Sequence, residues 1–389
     1  MNLRTLHKWS TPDIDALTIS SSTPPIVCFQ RSRASMYKGP WTHNLHYSEF
    51  VELTLFIMLY ENYVGIDVSK LSIDAFIRES RIHRQFRNEE SGFKQLIQWI
   101  KKHIGETWES LLICFEHTGL YSFSLALFLE REHIAYAMVP ALDIKRSLGI
   151  TRGKNDQIDA KRIAEFAYRF NNRVMPTSLP AKDIRKLHSL LAMRDKMMRN
   201  MGGYITSRNE LFRVIPDRKL PVLTSVYENI ISTLKNEVHE LEREIRSIIM
   251  ANKELKTTFE LITTVKGIGF IVASFLIVYT CNFTRFENWR KFACYSGIAP
   301  FEYQSGTSVH ARTQVSSIAN QQMKRLLHLA AMTAIHFDAE LHNYYVRRQA
   351  EGKSKMATIN IVRNKLIARV FAIVKRGTPF VDIQKYVYL

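Results

Sequence analysis

Four acidic residues of this chain stand in contexts that would let them share one divalent metal ion. Asp67 and Glu116 each end a short apolar run, and Asp156 and Asp159 are three residues apart, which puts both carboxylates on one face of a helix. Oxygen-rich clusters of this kind suit Mg²⁺ or Mn²⁺ rather than zinc. Far downstream, Ser305 precedes a glycine and could act as a nucleophile. The combination suggests an enzyme that cuts and rejoins DNA.

Each carboxylate also has an ordinary structural explanation. An Asp at a strand end is usually a turn former, and an Asp pair at the start of a helix usually caps the helix and interacts with its dipole. Asp67 and Glu116, however, end runs that are otherwise apolar, where an uncompensated charge is strongly unfavourable. A bound metal ion explains both of them together.

The acids must be positioned by alternating strands and helices. The pattern predicts strands at 63–69, 72–78, 82–87, 111–116 and 134–139, and helices at 91–104, 120–132, 140–148 and 156–170. Three adjacent strands followed by strand–helix alternation predict an α/β fold, a mixed sheet with helices on its faces.

After Pro180 the pattern becomes helical. From 182 to 258 apolar residues follow coiled-coil spacing, most regularly between Tyr227 and Ile248, where steps of four and three alternate without a break. Pro216 and Pro221 divide the segment into two helices, which predicts an antiparallel hairpin. An intramolecular hairpin and a dimer-forming coiled coil both fit this pattern.

A glycine-rich turn follows the hairpin. Lys266, Gly267 and Gly269 lie between two apolar stretches that together resemble a helix-hairpin-helix element. Such a turn would aim backbone N–H groups at a phosphate, a contact that positions DNA without reading its sequence. A tight turn between two packed core helices is the alternative.

An aromatic and basic cluster comes next, with Arg290 and Lys291 beside Trp289. It predicts either a nucleic-acid surface or a solvated helix whose aromatic side is buried. The serine follows in a loop-like stretch, where Gly306 would allow close backbone approach. A Ser-Gly pair in a loop is ordinarily only a turn.

These motifs, in this order, resemble the DEDD transposases of insertion sequences, the family that also contains the Piv-type DNA invertases. The matching stretches run from about residue 60 to about residue 340 and are 63–70, 116–121, 155–160, 295–300 and 304–306.

The resemblance implies an RNase H-like, RuvC-like catalytic domain and a separate, mainly helical transposase domain with a serine nucleophile. It assigns the metal-binding tetrad to Asp67, Glu116, Asp156 and Asp159 and the attack on DNA to Ser305. It also implies that an RNA encoded by the element selects the DNA. Because the tetrad and the serine are distant in sequence, we expect a homodimer or tetramer.

One stretch departs from the family pattern. A basic Lys/Arg-Gly-Asn segment generally follows the serine, whereas this chain has Ser316-Ser317-Ile318-Ala319-Asn320. Lys324 and Arg325, one turn later, would supply the positive charge for phosphate contact.

Composition agrees with a nucleic-acid partner. Lys and Arg total 54 against 36 Asp and Glu, a formal net charge of +18 that favours a polyanion. The four cysteines form no C-x-x-C pair, which predicts a reducing cytoplasm and no zinc site. No apolar run reaches the roughly 18 residues that a membrane span needs, so we expect no membrane partner.

The predicted domains follow from these patterns. Residues 1–57, rich in Ser, Thr, Pro and His, are expected to be disordered or a mis-assigned upstream extension, with Met58 as the start. The predicted domains are the catalytic domain at 58–178, the coiled-coil hairpin at 182–258, the serine domain at 259–346 and a basic C-terminal helical tail at 347–389.

The predicted function is a DNA transposase or site-specific recombinase that uses Mg²⁺ and Ser305. A metal-dependent hydrolytic nuclease of the Holliday-junction type is the first alternative, and it predicts that Ser305→Ala still cleaves. An inactive nucleic-acid-binding descendant is the second, and it predicts that Asp67→Ala changes no activity.

Overall fold

The computed structural model describes residues 60–105, 110–147, 155–215, 219–305, 309–316 and 318–381, the side chains of 302–305 and 309–313 excepted. The chain folds as two compact units, the first ending at Thr177 and the second beginning at Ser178. The predicted extension at 1–57 lies outside the described residues.

A five-stranded mixed sheet organises the described part of the first unit. Its strands are β1 (Asn62–Val68), β2 (Ser72–Ile77), β3 (Ile82–Arg87), β4 (Leu111–Glu116) and β5 (Tyr136–Val139). Their spatial order is β3-β2-β1-β4-β5. The β1–β2 and β2–β3 pairs are antiparallel, whereas the β1–β4 and β4–β5 pairs are parallel. Central strand β1 is almost entirely buried, as its apolar run requires.

Helices accompany the sheet: α1 (Glu90–Ile104), α2 (Leu120–Arg131), α3 (Ala141–Ser147) and α4 (Asp156–Arg169). All nine strands and helices predicted for this region are confirmed, with ends that agree within two residues. The predicted mixed sheet with accompanying helices is confirmed with them.

The second unit is mainly helical. Its helices are α5 (Lys182–Val214), α6 (Pro221–Ala251), α7 (Lys253–Thr263), α8 (Phe270–Tyr279), α9 (Trp289–Tyr295), α10 (Gln321–Phe337), α11 (Ala339–Ala350) and α12 (Lys355–Arg376). Its strands β6 (Pro300–Ser305) and β7 (Val309–Val315) form an antiparallel hairpin. Within the described ranges, no helix combines the length and the apolarity that crossing a membrane requires.

Helices α5 and α6 pack on each other as a hairpin, and Arg194 on the seam donates its Nε–H to Glu242 at 2.7 Å. The hairpin is shorter than the predicted 182–258, because α6 ends at Ala251. Asn252 then caps α7 by accepting hydrogen bonds from the N–H groups of Glu254 and Leu255. Coiled-coil packing of the two helices stays a prediction.

Two expectations for the second unit need correction. Ser305 ends strand β6 rather than lying in a loop, because it pairs with Val309 across the hairpin. Within the described part of the predicted basic helical tail at 347–389, helix α12 belongs to the core. Helix α12 buries a full apolar face, including Val362 and Leu366, in the same core as α8 and α10. Its interleaved basic residues conceal that face in the sequence.

Candidate active site

Asp67 and Glu116 come side by side at the carboxyl ends of two neighbouring strands. Strands β1 and β4 are parallel, and their register ends with Ile66 opposite Phe115. One residue farther along each strand comes an acid, so the two side chains leave the same face of the sheet. Both acids are partly buried. Parallel pairing thus brings together carboxylates that are far apart in sequence.

Asp156 and Asp159 lie in the first turn of α4. The helix begins there because Asn155 has extended backbone geometry, and its side-chain oxygen accepts the N–H of Gln157 at 3.1 Å. Negative charge is favourable at this end of a helix, where the backbone dipole is positive. The helix start therefore tolerates two acids close together.

Gly65 determines how closely α4 approaches the sheet. A Cβ at this position would lie 2.2 Å from both the carbonyl oxygen of Ala160 and the backbone nitrogen of Ala164. Only glycine permits that contact, and Ala160 and Ala164 are fully buried by it. Since Gly65 is two residues before Asp67 on the same face of β1, the contact brings the acidic first turn of α4 to the carboxyl end of the strand.

A second contact holds the other end of α4. Arg78, just after β2, donates its Nε–H to Glu165 at 3.1 Å, and its guanidinium carbon lies 3.3 Å from the ring centroid of Tyr168. An ion pair and a cation–π contact thus act on adjacent turns of the helix. Together with the Gly65 contact, they fix the helix on the sheet.

The four acids interact electrostatically. Burial first, and then the charges of neighbouring carboxylates, raise the pKa of Asp67 from 3.8 to about 6. Those carboxylates are Asp156, Asp159, Glu116 and Asp74. Arg162 partly balances the cluster, with its Nη1 2.7 Å from Oδ1 of Asp159. A divalent cation would relieve this repulsion.

The donor set fits a hard cation, because every donor in it is a carboxylate oxygen. Within the described residues, no three His, Cys, Asp or Glu side chains are close enough to coordinate a metal ion as they stand. This does not conflict with the raised pKa of Asp67, since Coulomb forces act well beyond coordination distance. Coordination would therefore require the carboxylates to draw inward.

Sequence reasoning missed a fifth carboxylate on the same face. Asp74 on β2 is 5% exposed, and its two oxygens contact Nε2 of His83 at 2.8 Å and Nε2 of Gln85 at 2.9 Å. A signal was present, because Asp74 interrupts an apolar strand just as Asp67 does. Donors from β3 satisfy this buried charge, as burial demands.

The predicted nucleophile lies in the second unit. Ser305 is the last residue of β6, and Gly306 lies outside the described residues. Ser305 therefore belongs to the second unit, whereas the four acids belong to the first.

In the glycine-rich turn between α7 and α8, Gly267 packs closely against the core. Gly267 has φ +94°, and a Cβ there would lie 2.6 Å from the carbonyl oxygen of Ala330 on α10. Gly269, in contrast, is exposed and starts α8 without a side-chain cap. Lys266 is half-buried beside the turn. The packed-turn interpretation thus accounts for Gly267, and the phosphate interpretation stays a prediction for Lys266 and Gly269.

The basic residues near the serine have protein partners. Arg290 lies over the ring of Trp289, with 4.8 Å to the centroid, and Lys291 forms an ion pair with Glu287 one turn away. Arg290 and Lys291 are nevertheless exposed. The buried side of this cluster is aromatic, with Phe292 in the core.

Lys324 and Arg325 of α10, predicted to replace the family's basic segment, differ in their exposure and in their contacts. Arg325 is half exposed and forms an ion pair with Asp195 of α5 at 2.5 Å. Lys324 is half-buried, and its stem lies near Gly297. Phosphate binding by either residue stays a prediction.

Two transposase family models match separate stretches of the chain. Residues 64–208 match a model described as a transposase and named for the DEDD type of IS110. Residues 259–346 match the family described as Transposase IS116/IS110/IS902. The first stretch contains all four acids of the predicted tetrad, and the second contains Ser305.

Similar proteins are known in several bacteria. The chain is 27% identical to the pilin gene-inverting proteins of Moraxella bovis and Moraxella lacunata over 327 residues, which are 82% of this chain and 98% of each relative. It is 30% identical over 141 residues to an uncharacterized 43.6 kDa protein of insertion element IS110 from Streptomyces coelicolor. That alignment covers 36% of this chain and 35% of the relative.

Proposed function

Because this chain belongs to the IS110 family of DNA transposases and recombinases, we propose that it rejoins DNA through a covalent phosphoserine at Ser305. The first unit is then an RNase H-like, RuvC-like catalytic domain, and residues 259–346 are the serine domain. The hairpin of α5 and α6 connects them in the chain.

One observation carries the metal-dependent part of this proposal. Burial first, and then the surrounding like charges, raise the pKa of Asp67 to about 6. A fold does not gather four carboxylates at strand ends and a helix start for stability, because like charges held close together repel each other. Perturbed carboxylates of this kind are typical of functional sites.

Asp67, Glu116, Asp156 and Asp159 would hold the Mg²⁺ or Mn²⁺. When bound, the ion supplies positive charge that stabilises the phosphoryl oxygens and lowers the pKa of a coordinated oxygen nucleophile. Gly65 and Arg78 support the site indirectly, because they fix α4 on the sheet.

The proposed reaction of Ser305 is a phosphoryl transfer. Oγ of Ser305 forms a bond to phosphorus, the bond from phosphorus to one sugar oxygen breaks, and that oxygen takes up a proton. The hydroxyl proton of Ser305 passes to a base. The phosphoserine keeps the energy of the broken bond, so attack by a second sugar hydroxyl rejoins DNA and frees the serine.

Nucleic acid is the partner that the charge favours. A net charge of +18 supports binding of DNA, and of an element-encoded guide RNA that selects donor and target. We further propose that Lys266, Gly269, Arg290, Lys291, Lys324 and Arg325 contact phosphates, and that the active form is a homodimer or tetramer.

A covalent-adduct trap tests the proposal. The full chain is incubated with the junction DNA of its element, the flanking RNA and Mg²⁺, then denatured and resolved for protein–DNA adducts. We expect an adduct in the wild type and none with Ser305→Ala or Asp67→Asn. Ser308→Ala, three residues farther along the chain, and Asp143→Asn, an exposed acid on α3, are matched controls that should retain it.

The outcomes separate the alternatives. Cleavage without an adduct, unchanged by Ser305→Ala, would replace the serine mechanism with metal-dependent hydrolysis. An adduct that survives Asp67→Asn would remove the tetrad from the reaction. Loss of the adduct in Ser308→Ala but not in Ser305→Ala would move the nucleophile to Ser308.

A further inference from the structure

The carbonyl oxygen of Ile298 accepts hydrogen bonds from two asparagine side chains of α12. Nδ2 of Asn360 lies 2.9 Å from this oxygen, and Nδ2 of Asn364 lies 3.0 Å from it. The two asparagines are four residues apart and so share one face of the helix. Both lone pairs of one buried carbonyl are thereby used. Asparagine is unfavourable inside a helix, so these positions demand a specific reason.

Neighbouring groups fix the orientation of both amides. Nη1 of Arg363 lies 3.4 Å from Oδ1 of Asn360, so the NH₂ group of that amide faces Ile298. Asn364 uses the second hydrogen of its Nδ2 on the carbonyl oxygen of Asn360 at 2.9 Å. Arg363 itself is 6% exposed and donates Nη2–H to Nδ1 of His328 at 2.5 Å. These contacts hold both amide groups in the orientation that donates to the carbonyl oxygen of Ile298.

Ile298 stands two residues before the strand that carries Ser305. Strand β6 begins at Pro300 and pairs with β7, where Pro300 lies opposite Val315. We name the three residues Ile298, Asn360 and Asn364 the hairpin anchor. It fixes the chain where the hairpin leaves the core.

The other strand of the hairpin returns to a second fixed point. Asn320, at the start of α10, donates its backbone N–H to the carbonyl oxygen of Tyr295 at 2.8 Å and its Nδ2–H to the Tyr295 hydroxyl at 2.9 Å. Gly297, at φ +66°, packs so closely that a Cβ there would lie 2.4 Å from Cβ of Ala319. Both ends of the hairpin are thus tied to one buried turn.

We propose that Asn360 and Asn364 are positioning residues that aim the β6–β7 hairpin, and with it Ser305, at the scissile phosphate. This inference rests on the proposed function, in which Ser305 is the nucleophile. It gives α12, which lies beyond the stretch that the family models match, a role in the reaction.

Geometry explains why the anchor matters. The six residues of β6 extend about 17 Å. A tilt of about 5° at the base would move the tip by about 1.5 Å, and displacements near 1 Å can slow a positioned reaction about hundredfold. A small loosening at Ile298 therefore becomes a large error at Ser305.

Hydrogen exchange on the full chain tests the anchor without requiring activity. Asn360→Ala, Asn364→Ala and the double variant are compared with Asn343→Ala, which removes an exposed asparagine of α11. Alanine favours helix more than asparagine does, so α12 itself is not weakened. We expect amides of 300–316 to exchange about tenfold faster in the double variant, with α10 and α12 unchanged.

The single variants distinguish a shared acceptor from two separate contacts. Each leaves one donor on Ile298, so each should have a small effect, and the double variant should exceed their sum. If the double variant does not fold, Asn364→Ala alone carries the test. Unchanged exchange at 300–316 would overturn the anchor.

The adduct trap then tests positioning. At saturating DNA, the rate of adduct formation should fall about tenfold or more in the double variant, while the apparent Kd stays within about twofold. Faster exchange with a wild-type adduct rate would overturn the positioning role. If the wild type forms no adduct, or Ser305→Ala retains it, the proposed function fails, and exchange alone decides whether the asparagines hold the hairpin.

Discussion

Asp67 and Asp74 lie directly opposite each other on the antiparallel strands β1 and β2. Both face α4, because Gly65 and Phe76, on the same face of these strands, contact Ala160 or Ala164 of that helix. Like charges in this relationship are destabilising. The pair is therefore better explained by function than by stability.

Asp67→Asn should stabilise the metal-free protein while abolishing recombination. Removing this charge relieves both its burial and the repulsion from neighbouring carboxylates, which together raise the pKa of Asp67 to about 6. The full shift corresponds to about 3 kcal/mol, which solvent screening of a partly exposed group reduces to about 1–2 kcal/mol. We expect the Tm near pH 8 to rise by about 2–5 °C, measured by thermal unfolding. Asp143→Asn should leave it unchanged, and a lower Tm in Asp67→Asn would contradict the prediction.

The difference between wild type and Asp67→Asn should depend on pH. The folded-state pKa of Asp67 is raised from 3.8 to about 6, so the folded protein holds this proton more tightly than the unfolded chain does. The stability of the wild type therefore falls as pH rises through this window and is constant above it. The Tm difference should be full above about pH 7 and should vanish below about pH 3, under the unfolded-state pKa of 3.8. A constant difference across that range would sink the assignment.

Mg²⁺ should stabilise the wild type more at high pH than at low pH. A cation and a proton compete for Asp67, whose pKa is about 6. At equal Mg²⁺, the rise in Tm near pH 8 should exceed the rise near pH 5 by about 2 °C or more. EDTA should reverse it, and Asp67→Asn should weaken it at both pH values. Equal shifts in wild type and Asp67→Asn would place the binding elsewhere.

Asp74→Asn should lower the pH at which the rise in Tm caused by Mg²⁺ reaches half of its maximum. Asp74 comes last among the causes that raise the pKa of Asp67, after burial and the three other carboxylates, so the midpoint should fall only slightly. Asparagine can still accept from Gln85, which keeps the strand contact. The same Mg²⁺ titration across pH measures the midpoint, with Asp143→Asn as the control. An upward shift would contradict the prediction.

The first unit was the more predictable from sequence. Its apolar runs and their two-residue alternation are local signals, so every strand and helix predicted from residue 63 to 170 is found within two residues. Asp74 was missed although Asp67 has the same signature, because an acid inside a strand reads as functional only once its neighbours are known. The antiparallel pairing of β1 with β2, which places Asp74 opposite Asp67, supplies that knowledge.

The second unit was less predictable because its structure depends on tertiary pairing. Ser305 is in a strand only because β7 lies beside it. The sequence predicts a basic tail where α12 lies, since Arg363, Lys365 and Arg369 interrupt its apolar pattern. In the structure Arg363 is buried against His328, and Arg369 forms an ion pair with Asp338 at 2.8 Å. A count of charges cannot distinguish basic residues with buried partners from basic residues that face solvent.

Gly65→Ala should destabilise the first unit and abolish recombination without altering any carboxylate. The new Cβ would lie 2.2 Å from backbone atoms of α4, so the helix that carries Asp156 and Asp159 must move away from β1. Overpacking of this kind costs about 1–3 kcal/mol. Gly202→Ala is the matched control: Gly202 lies inside α5 with nothing within 4 Å of its added Cβ, and alanine there should stabilise the helix by about 1 kcal/mol. Thermal unfolding and the adduct trap measure both variants. Wild-type Tm and adduct yield in Gly65→Ala would show that the contact between α4 and β1 does not position the acids.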